Sequence, residues 1–164
     1  ILAYIEEKIT SNQAKRLVPI IEEALKQSST QYSELSAIAC TIGPGSFTGI
    51  RIGLATARAI GFAAGIPVLG FSGLEVLAFG AIEGTSTTPI FASLNAGKGE
   101  IIYQYFNHEL EATCPPTLSS CHPVPTNYPR ADLLAGLAAK YPHHAVAPLP
   151  FYVRPPDAKL PNTL

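Results

Sequence analysis

The chain has 164 residues, of which 47% are hydrophobic and 14% charged, a composition typical of a globular protein and not of a disordered one. Its 11 basic and 12 acidic side chains leave a net charge of -1. A protein that binds nucleic acid by itself usually carries a basic excess, because neutralised phosphates supply most of the affinity. Any contact with RNA is therefore expected to need a partner.

Cysteines and apolar segments bear on the cellular compartment. Cys40 lies in an apolar run, where we expect a buried, reduced thiol. The low-charge stretch 52–74 contains Arg58, Pro67 and several glycines, which is typical of a buried helix, a turn and a strand and not of a membrane span. We therefore predict a cytoplasmic protein with no membrane association. Because methionine is absent and the chain opens in mid-pattern, we expect the fold to be incomplete at its N-terminus.

A strand and a helix are predicted first along the chain. Residues 1–9 alternate loosely between apolar and polar and indicate a strand. Thr10, Ser11 and Asn12 are suitable N-caps for a helix that continues to about residue 27. Leu17, Ile20 and Ile21 recur at helical spacing and form its apolar face.

A β-α-β-α order follows. The near-continuous apolar run 35–42 is typical of a strand covered on both faces. A helix is predicted over residues 48–64, a strand over 68–71 and a third helix over 72–79. This order predicts parallel neighbouring strands with helices on the faces of the sheet.

The second half of the chain indicates a smaller lobe. We place the boundary in the polar segment 84–89, so that residues 1–88 form the first lobe and residues 89–164 the second. Strands over 90–94 and 100–106 form a predicted hairpin, and a short helix is predicted over 131–140. No regular structure is assigned to residues 114–129, and the proline-dense tail from residue 142 is expected to lie extended on the surface.

The most informative segment joins the predicted strand 35–42 to the helix after it, and contains Gly43, Pro44, Gly45, Ser46, Phe47, Thr48 and Arg51. Helix N-terminal amides at such a corner can bind an anion. However, the segment lacks the lysine of a Walker loop, the third glycine of a dinucleotide motif and the glycine spacing of an esterase elbow. The pattern favours a tight corner capped by Ser46 or Thr48 over direct phosphate chemistry. Arg51 is expected to need a carboxylate or carbonyl partner and to brace this corner.

Small residues recur at every fourth position along the helix that follows: Gly49, Gly53, Ala57, Gly61 and Gly65. Four residues advance a helix by about 400°, so the row winds slowly around the axis and lets another backbone approach closely. Two interpretations fit this spacing equally well. The row packs on the protein's own sheet, or it forms a groove into which a helix of a second subunit docks.

Metal chemistry has little support. No H-E-x-x-H motif is present, and the possible cluster of Cys114, Cys121 and His122 lacks an obvious fourth ligand. We predict no metal site and no catalytic residue.

Residues 43–59 and 65–68 strongly resemble the TsaB (YeaZ) family of tRNA modification proteins, and residues 72–78 and 151–159 match it as well. The resemblance implies an α/β fold of the actin/Hsp70-like (ASKH) class, with two lobes and a mixed sheet flanked by helices. The family is related to the catalytic subunit TsaD but lacks a working nucleotide site.

The resemblance also implies partners. A member of this family pairs with TsaD, acts in one pathway with TsaE and TsaC, and meets tRNA only through the complex; ATP and metal are expected on partner subunits, with no intrinsic cofactor. In this family the first two helices form the pairing surface, either for TsaD or for a homodimer. Here that surface would comprise Leu17, Ile20, Ile21, Gly49, Gly53, Ala57 and Gly61. The alternative is an enzyme of the same fold, kinase- or peptidase-like, with its own nucleotide or substrate site.

Overall fold

The computed structural model describes residues 1–9, 12–82, 88–120 and 127–153. The elements in these residues are α1 (Gln13–Gln27), β1 (Ile38–Gly43), α2 (Phe47–Ala64), β2 (Val68–Ser72), α3 (Gly73–Ile82), β3 (Ile90–Gly97), β4 (Glu100–Phe106), β5 (Thr117–Ser119) and α4 (Ala131–Lys140). Short 3-10 turns stand at Tyr32–Glu34 and Pro142–His144. None of the described helices combines the length and apolarity that a membrane span requires.

The first sheet contains β1 and β2, which are parallel with Ile38 opposite Val68 and Thr41 opposite Phe71. Helix α2 is the crossover between them, as the β-α-β order predicts. It ends at Gly65, whose φ of 69° suits a glycine C-cap. Most of β1 is only half-buried, in contrast to the full cover predicted from its apolar run, because one side of the strand lines an open cleft.

The second sheet is antiparallel, in the order β3-β4-β5. Its predicted hairpin is confirmed, and residues 97–99 at the turn all have positive φ, which the glycines at Gly97 and Gly99 accommodate. Strand β5 pairs with β4 through Leu118 opposite Ile102. This strand corrects the assignment of residues 114–129 as irregular. In the described residues, the parallel and antiparallel pairs expected in one mixed sheet thus lie in two sheets.

The larger hydrophobic cluster draws on both halves of the chain. Phe71 and Leu74 are fully buried in it together with Ile102, Phe106 and Leu137. Helix α3 therefore packs on residues beyond the predicted lobe boundary. Residues 83–87 lie outside the described residues, and they include most of the predicted boundary segment 84–89. The division of the chain at residue 88 therefore stays a prediction.

Residues 1–9 form no strand, which corrects the prediction for this segment. Strands need a neighbour for their backbone hydrogen bonds, and none of the described residues pairs with this stretch. It is held to α1 instead by Arg16, whose Nε donates to the Glu7 carboxylate at 2.8 Å and 3.1 Å. Thr10 and Ser11 lie outside the described residues, and the Asn12 side chain forms no capping hydrogen bond.

Residues 142–153, named here the strap, return from α4 to the first sheet. Val146 and Gly70 exchange backbone hydrogen bonds of 2.9 Å and 3.0 Å, and the Phe151 amide donates to the Ile42 carbonyl at 2.8 Å. Most of the strap is exposed at the surface, as predicted, and its backbone also pairs with the middle of β2 and with the end of β1. The tail beyond residue 153 lies outside the described residues.

Candidate functional site

The glycine-rich segment forms the corner between β1 and α2. The Ser46 hydroxyl accepts a hydrogen bond from the Gly49 amide at 3.4 Å and caps the helix. This confirms Ser46 as the capping residue. Pro44 follows Gly43 through a cis peptide bond, and Thr48 lies within the first turn of α2.

The strap lies directly behind this corner. Gly43 has a φ of 122°, and a Cβ at this position would collide with the Phe151 carbonyl oxygen. It would also lie 3.1 Å from Ile50 Cδ1, whereas a Cβ at Gly45 would make only ordinary contacts. Glycine is therefore required at Gly43 by the approach of the chain's own backbone.

Arg51 is held by two aromatic side chains. Its Nε donates to the Tyr152 hydroxyl at 3.0 Å, and its guanidinium lies 3.9 Å from the centroid of the Phe47 ring. The rings of Phe47 and Tyr152 are themselves 5.0 Å apart. The carboxylate or carbonyl partner predicted for Arg51 is thus wrong. A phenol from the strap takes that place, and the cluster binds the start of α2 to the strap.

An apolar cleft of about 900 Å³ opens between α1, β1 and α2. Leu17, Ile20 and Ile21 line one wall, and α1 buries no residue completely although its apolar face is well defined. Thr41 and its neighbours along β1 line the floor. In the described part of the chain, β1 pairs with β2 alone, so the cleft runs beside its other edge.

Part of the small-residue row of α2 is open to a partner, and part of it packs on the protein's own sheet. A Cβ at Gly53 would meet no atom within 4 Å, and one at Gly49 would meet only Ser46; both glycines line the cleft. Ala57 is only 6% exposed and packs in the core beneath α2, although it also borders the cleft. A Cβ at Gly61 would collide with Val68 Cγ2. The row therefore begins on an open surface and ends against the protein's own sheet.

Two residues on or beside α2 were not predicted from the sequence. Tyr152 belongs to the tail, and no pattern in the sequence around it indicates its contact with Arg51. Phe62 on α2 is 92% exposed. Its position could have been found from the sequence, since it lies one position past Gly61 on the side of α2 away from the buried row.

A second polar link ties the strap to α3. His144 Nδ1 and Glu75 Oε1 are 2.8 Å apart in a partly buried site. Burial raises the pKa of the Glu75 carboxyl, and the hydrogen bond with His144 opposes this shift in part.

The remaining predictions concern cysteines and a metal site. Cys40 is a free, buried thiol as predicted, and burial raises its pKa. The Cys114 thiol accepts a hydrogen bond from the Tyr105 amide at 3.4 Å. Cys121 and His122 lie outside the described residues. Among the residues that are described, no group of three or more metal-ligating side chains is found.

Comparison with known proteins assigns the family. The family model TsaD, described as tRNA N6-adenosine threonylcarbamoyltransferase, matches residues 6–152. The chain belongs to this family.

Two TsaB relatives are similar to this member of the TsaD family. The tRNA threonylcarbamoyladenosine biosynthesis proteins TsaB of Escherichia coli and Haemophilus influenzae are each 33% identical to it, over 95 and 100 residues. These matches cover 58% and 61% of this chain, and 41% and 42% of the relatives. The chain thus spans about two fifths of the length of the curated relatives it matches. The resemblance to the TsaB (YeaZ) family is confirmed.

A solved structure carries the same fold. YeaZ from Pseudomonas aeruginosa superimposes with a TM-score of 0.72 at 24% identity, over 90% of this chain and 87% of that one. The α/β fold of the actin/Hsp70-like class, with helices packed on sheets, is confirmed by this match.

Proposed function

We propose that this TsaB-like chain is a non-catalytic scaffold subunit that pairs with TsaD and supports threonylcarbamoyl transfer to the adenosine next to the tRNA anticodon. The observation that carries the proposal is the uncovered helix pair. The apolar face of α1 buries no residue completely, and it faces bare backbone at Gly49 and Gly53 on α2. Uncovered apolar surface rimmed by polar residues is the kind of surface that protein partners bury on association.

The pairing energy would come from apolar burial. Leu17, Ile20 and Ile21 are half-buried, so a partner that covers them removes further apolar area from water. The absence of side chains at Gly49 and Gly53 lets a partner backbone approach α2 closely. Ala57 and Gly61 support this surface from below, because both are packed on the protein's own strands. A homodimer through the same face is the competing assembly.

The scaffold role is supported by the contacts that the glycine-rich corner between β1 and α2 makes with the strap. The inner side of Gly43 is occupied by the strap, and the Nε of Arg51 is bonded to Tyr152. These contacts give the glycine-rich segment a structural task, which favours a scaffold over a kinase- or peptidase-like enzyme. ATP and metal would then act on partner subunits. Because the net charge of the chain is -1, tRNA would be reached through the complex. TsaE would also be met through the complex.

The test is titration of the full chain with purified TsaD, together with the variants Gly53→Arg and Ala112→Arg. Gly53 faces open space, so an arginine there fills the cleft without disturbing the helix. Ala112 is exposed in the other half of the chain and serves as the matched control. We expect binding by the wild type and by Ala112→Arg, and a loss of binding in Gly53→Arg.

Two results would overturn the proposal. One is an absence of binding between the wild-type chain and TsaD by both titration and co-purification. The other is tight binding of ATP with magnesium to the isolated chain, accompanied by turnover, which would favour the enzyme alternative.

A further inference from the structure

Four exposed residues of α2 form one stripe along the helix: Arg51, Ala55, Arg58 and Phe62. At 100° per residue they fall within an arc of about 60°, on the flank of α2 that faces away from Gly53 and the cleft. This set is named here the arginine stripe. It lies about 100° around the axis from the buried residues Ile50, Leu54, Ala57 and Gly61.

The positive charges of the arginine stripe are unmatched within the described part of the chain. Arg58 forms no hydrogen bond or ion pair there, and the terminal nitrogens of Arg51 form none either, since only its Nε is bonded. Helix α2 contains no acidic residue. The two guanidinium groups are seven residues apart, or about 10.5 Å along the axis.

Arg51 is also held in place before any partner arrives. Its stacking on Phe47 and its bond to Tyr152 restrict the side chain, while the donors on its two terminal nitrogens are used by none of the described residues. A restricted arginine loses less conformational freedom on binding than a free one. The geometry suits a carboxylate, which accepts two parallel hydrogen bonds from such a fork.

Phe62 sets the apolar end of the stripe. The Phe62 side chain is 92% exposed. Between the two arginines stands Ala55, whose small side chain leaves room for a partner to approach the helix backbone. Arginine and aromatic side chains are the residue types enriched in protein interfaces. A standard interface buries about 800 Å² on each partner, which is more than one flank of a helix. The outer face of α2 separates the cleft from the stripe, and a subunit that lies across this outer face would contact both.

We propose that the arginine stripe is the orienting part of the pairing surface, and that the segment of TsaD that covers it is an acidic helix with carboxylates two turns apart and an apolar residue for Phe62. This inference rests on the proposed function. Protein is favoured over RNA as the occupant, because only two cations are present, next to an aromatic ring and an alanine, in a chain whose net charge is -1.

The experiment compares Arg58→Glu, Phe62→Ala and the control Lys140→Glu by titration with TsaD at two salt concentrations. Lys140 is exposed on α4, and its reversal changes the net charge by the same amount as that of Arg58. Arg58→Glu and Phe62→Ala should each weaken binding about tenfold or more. The wild-type affinity should fall with salt, whereas that of Arg58→Glu should fall less or rise. Circular dichroism of each variant reports whether it is folded.

The outcomes separate this inference from the function on which it rests. If the wild type binds TsaD and Arg58→Glu binds equally well at both salt concentrations, the stripe is overturned and the proposed function stands. If the wild type does not bind TsaD at all, both are overturned. Two other results overturn the stripe's assignment to TsaD: self-association that only the stripe variants lose, and salt-dependent binding of tRNA by the isolated chain that Arg58→Glu abolishes.

Discussion

The Nε of Arg51 donates a hydrogen bond of 3.0 Å to the Tyr152 hydroxyl, across 101 positions of the sequence. The contact joins the first turn of α2 to the far end of the strap. Both the corner at Gly43 and the position of Arg51 consequently depend on a segment that follows α4.

The hydroxyl of Tyr152 should contribute measurably to stability. Tyr152→Phe removes the hydrogen bond to Arg51 but keeps the ring contact with Phe47. Because the pair is exposed, we expect a coupling of only about 0.5 kcal/mol in a double-mutant cycle with Arg51→Ala, measured by urea unfolding. Tyr32→Phe is the control, since Tyr32 lies in a different turn. A zero coupling for Tyr152 would contradict the contact.

Gly53 and Gly61 should respond in opposite directions to one added methyl group. Gly53→Ala meets open space, so the better helix propensity of alanine should raise the free energy of unfolding by about 0.5–1 kcal/mol. Gly61→Ala forces Val68 to move and should lower it by about 1–3 kcal/mol. Denaturant unfolding measures both changes. If the free energy of unfolding changes by the same sign and amount in the two variants, Gly53 and Gly61 do not differ in their surroundings as described.

The Gly43 position should tolerate no side chain. Gly43→Ala combines a left-handed φ of 122° with a collision against the Phe151 carbonyl, so we expect a loss of about 1–3 kcal/mol in unfolding free energy. Gly45→Ala is the matched control two residues away, where an added Cβ makes only ordinary contacts with Ile50. Equal stability of the two variants in thermal melting would show that the strap does not constrain the corner.

Glu75 should make stability depend on pH. Burial raises the pKa of the Glu75 carboxyl in the folded protein above its ordinary value of 4.5. Between these two pKa values the folded state binds more protons than the unfolded one. The free energy of unfolding should then fall as pH rises through this window. Glu75→Gln removes the titration, so its stability relative to the wild type should increase with pH from pH 4 upward. Urea unfolding at several pH values measures this difference, and a constant difference would refute the pKa shift.

Local patterns were sufficient for the helices and for the corner. The apolar spacing in α1, the helix-ending Gly65 after α2 and the hairpin around Gly97 are all properties of short stretches, and the structure agrees with them. The cap at Ser46 belongs to the same class, because a helix start is decided within four residues. Strands were harder to place. Residues 1–9 and β5 were both assigned wrongly, because a strand exists only through hydrogen bonds to a neighbour that the local pattern does not identify.

Sequence patterns alone were enough to predict the fold class, the family resemblance and a small-residue row on α2. The contact of Gly61 with Val68, the open space beside Gly53 and the bond between Arg51 and Tyr152 became visible only in the folded chain. Spacing defines which residues share a helix face, whereas the atoms that cover that face come from distant parts of the chain. Those atoms decide whether a missing side chain serves the protein's own core or a partner.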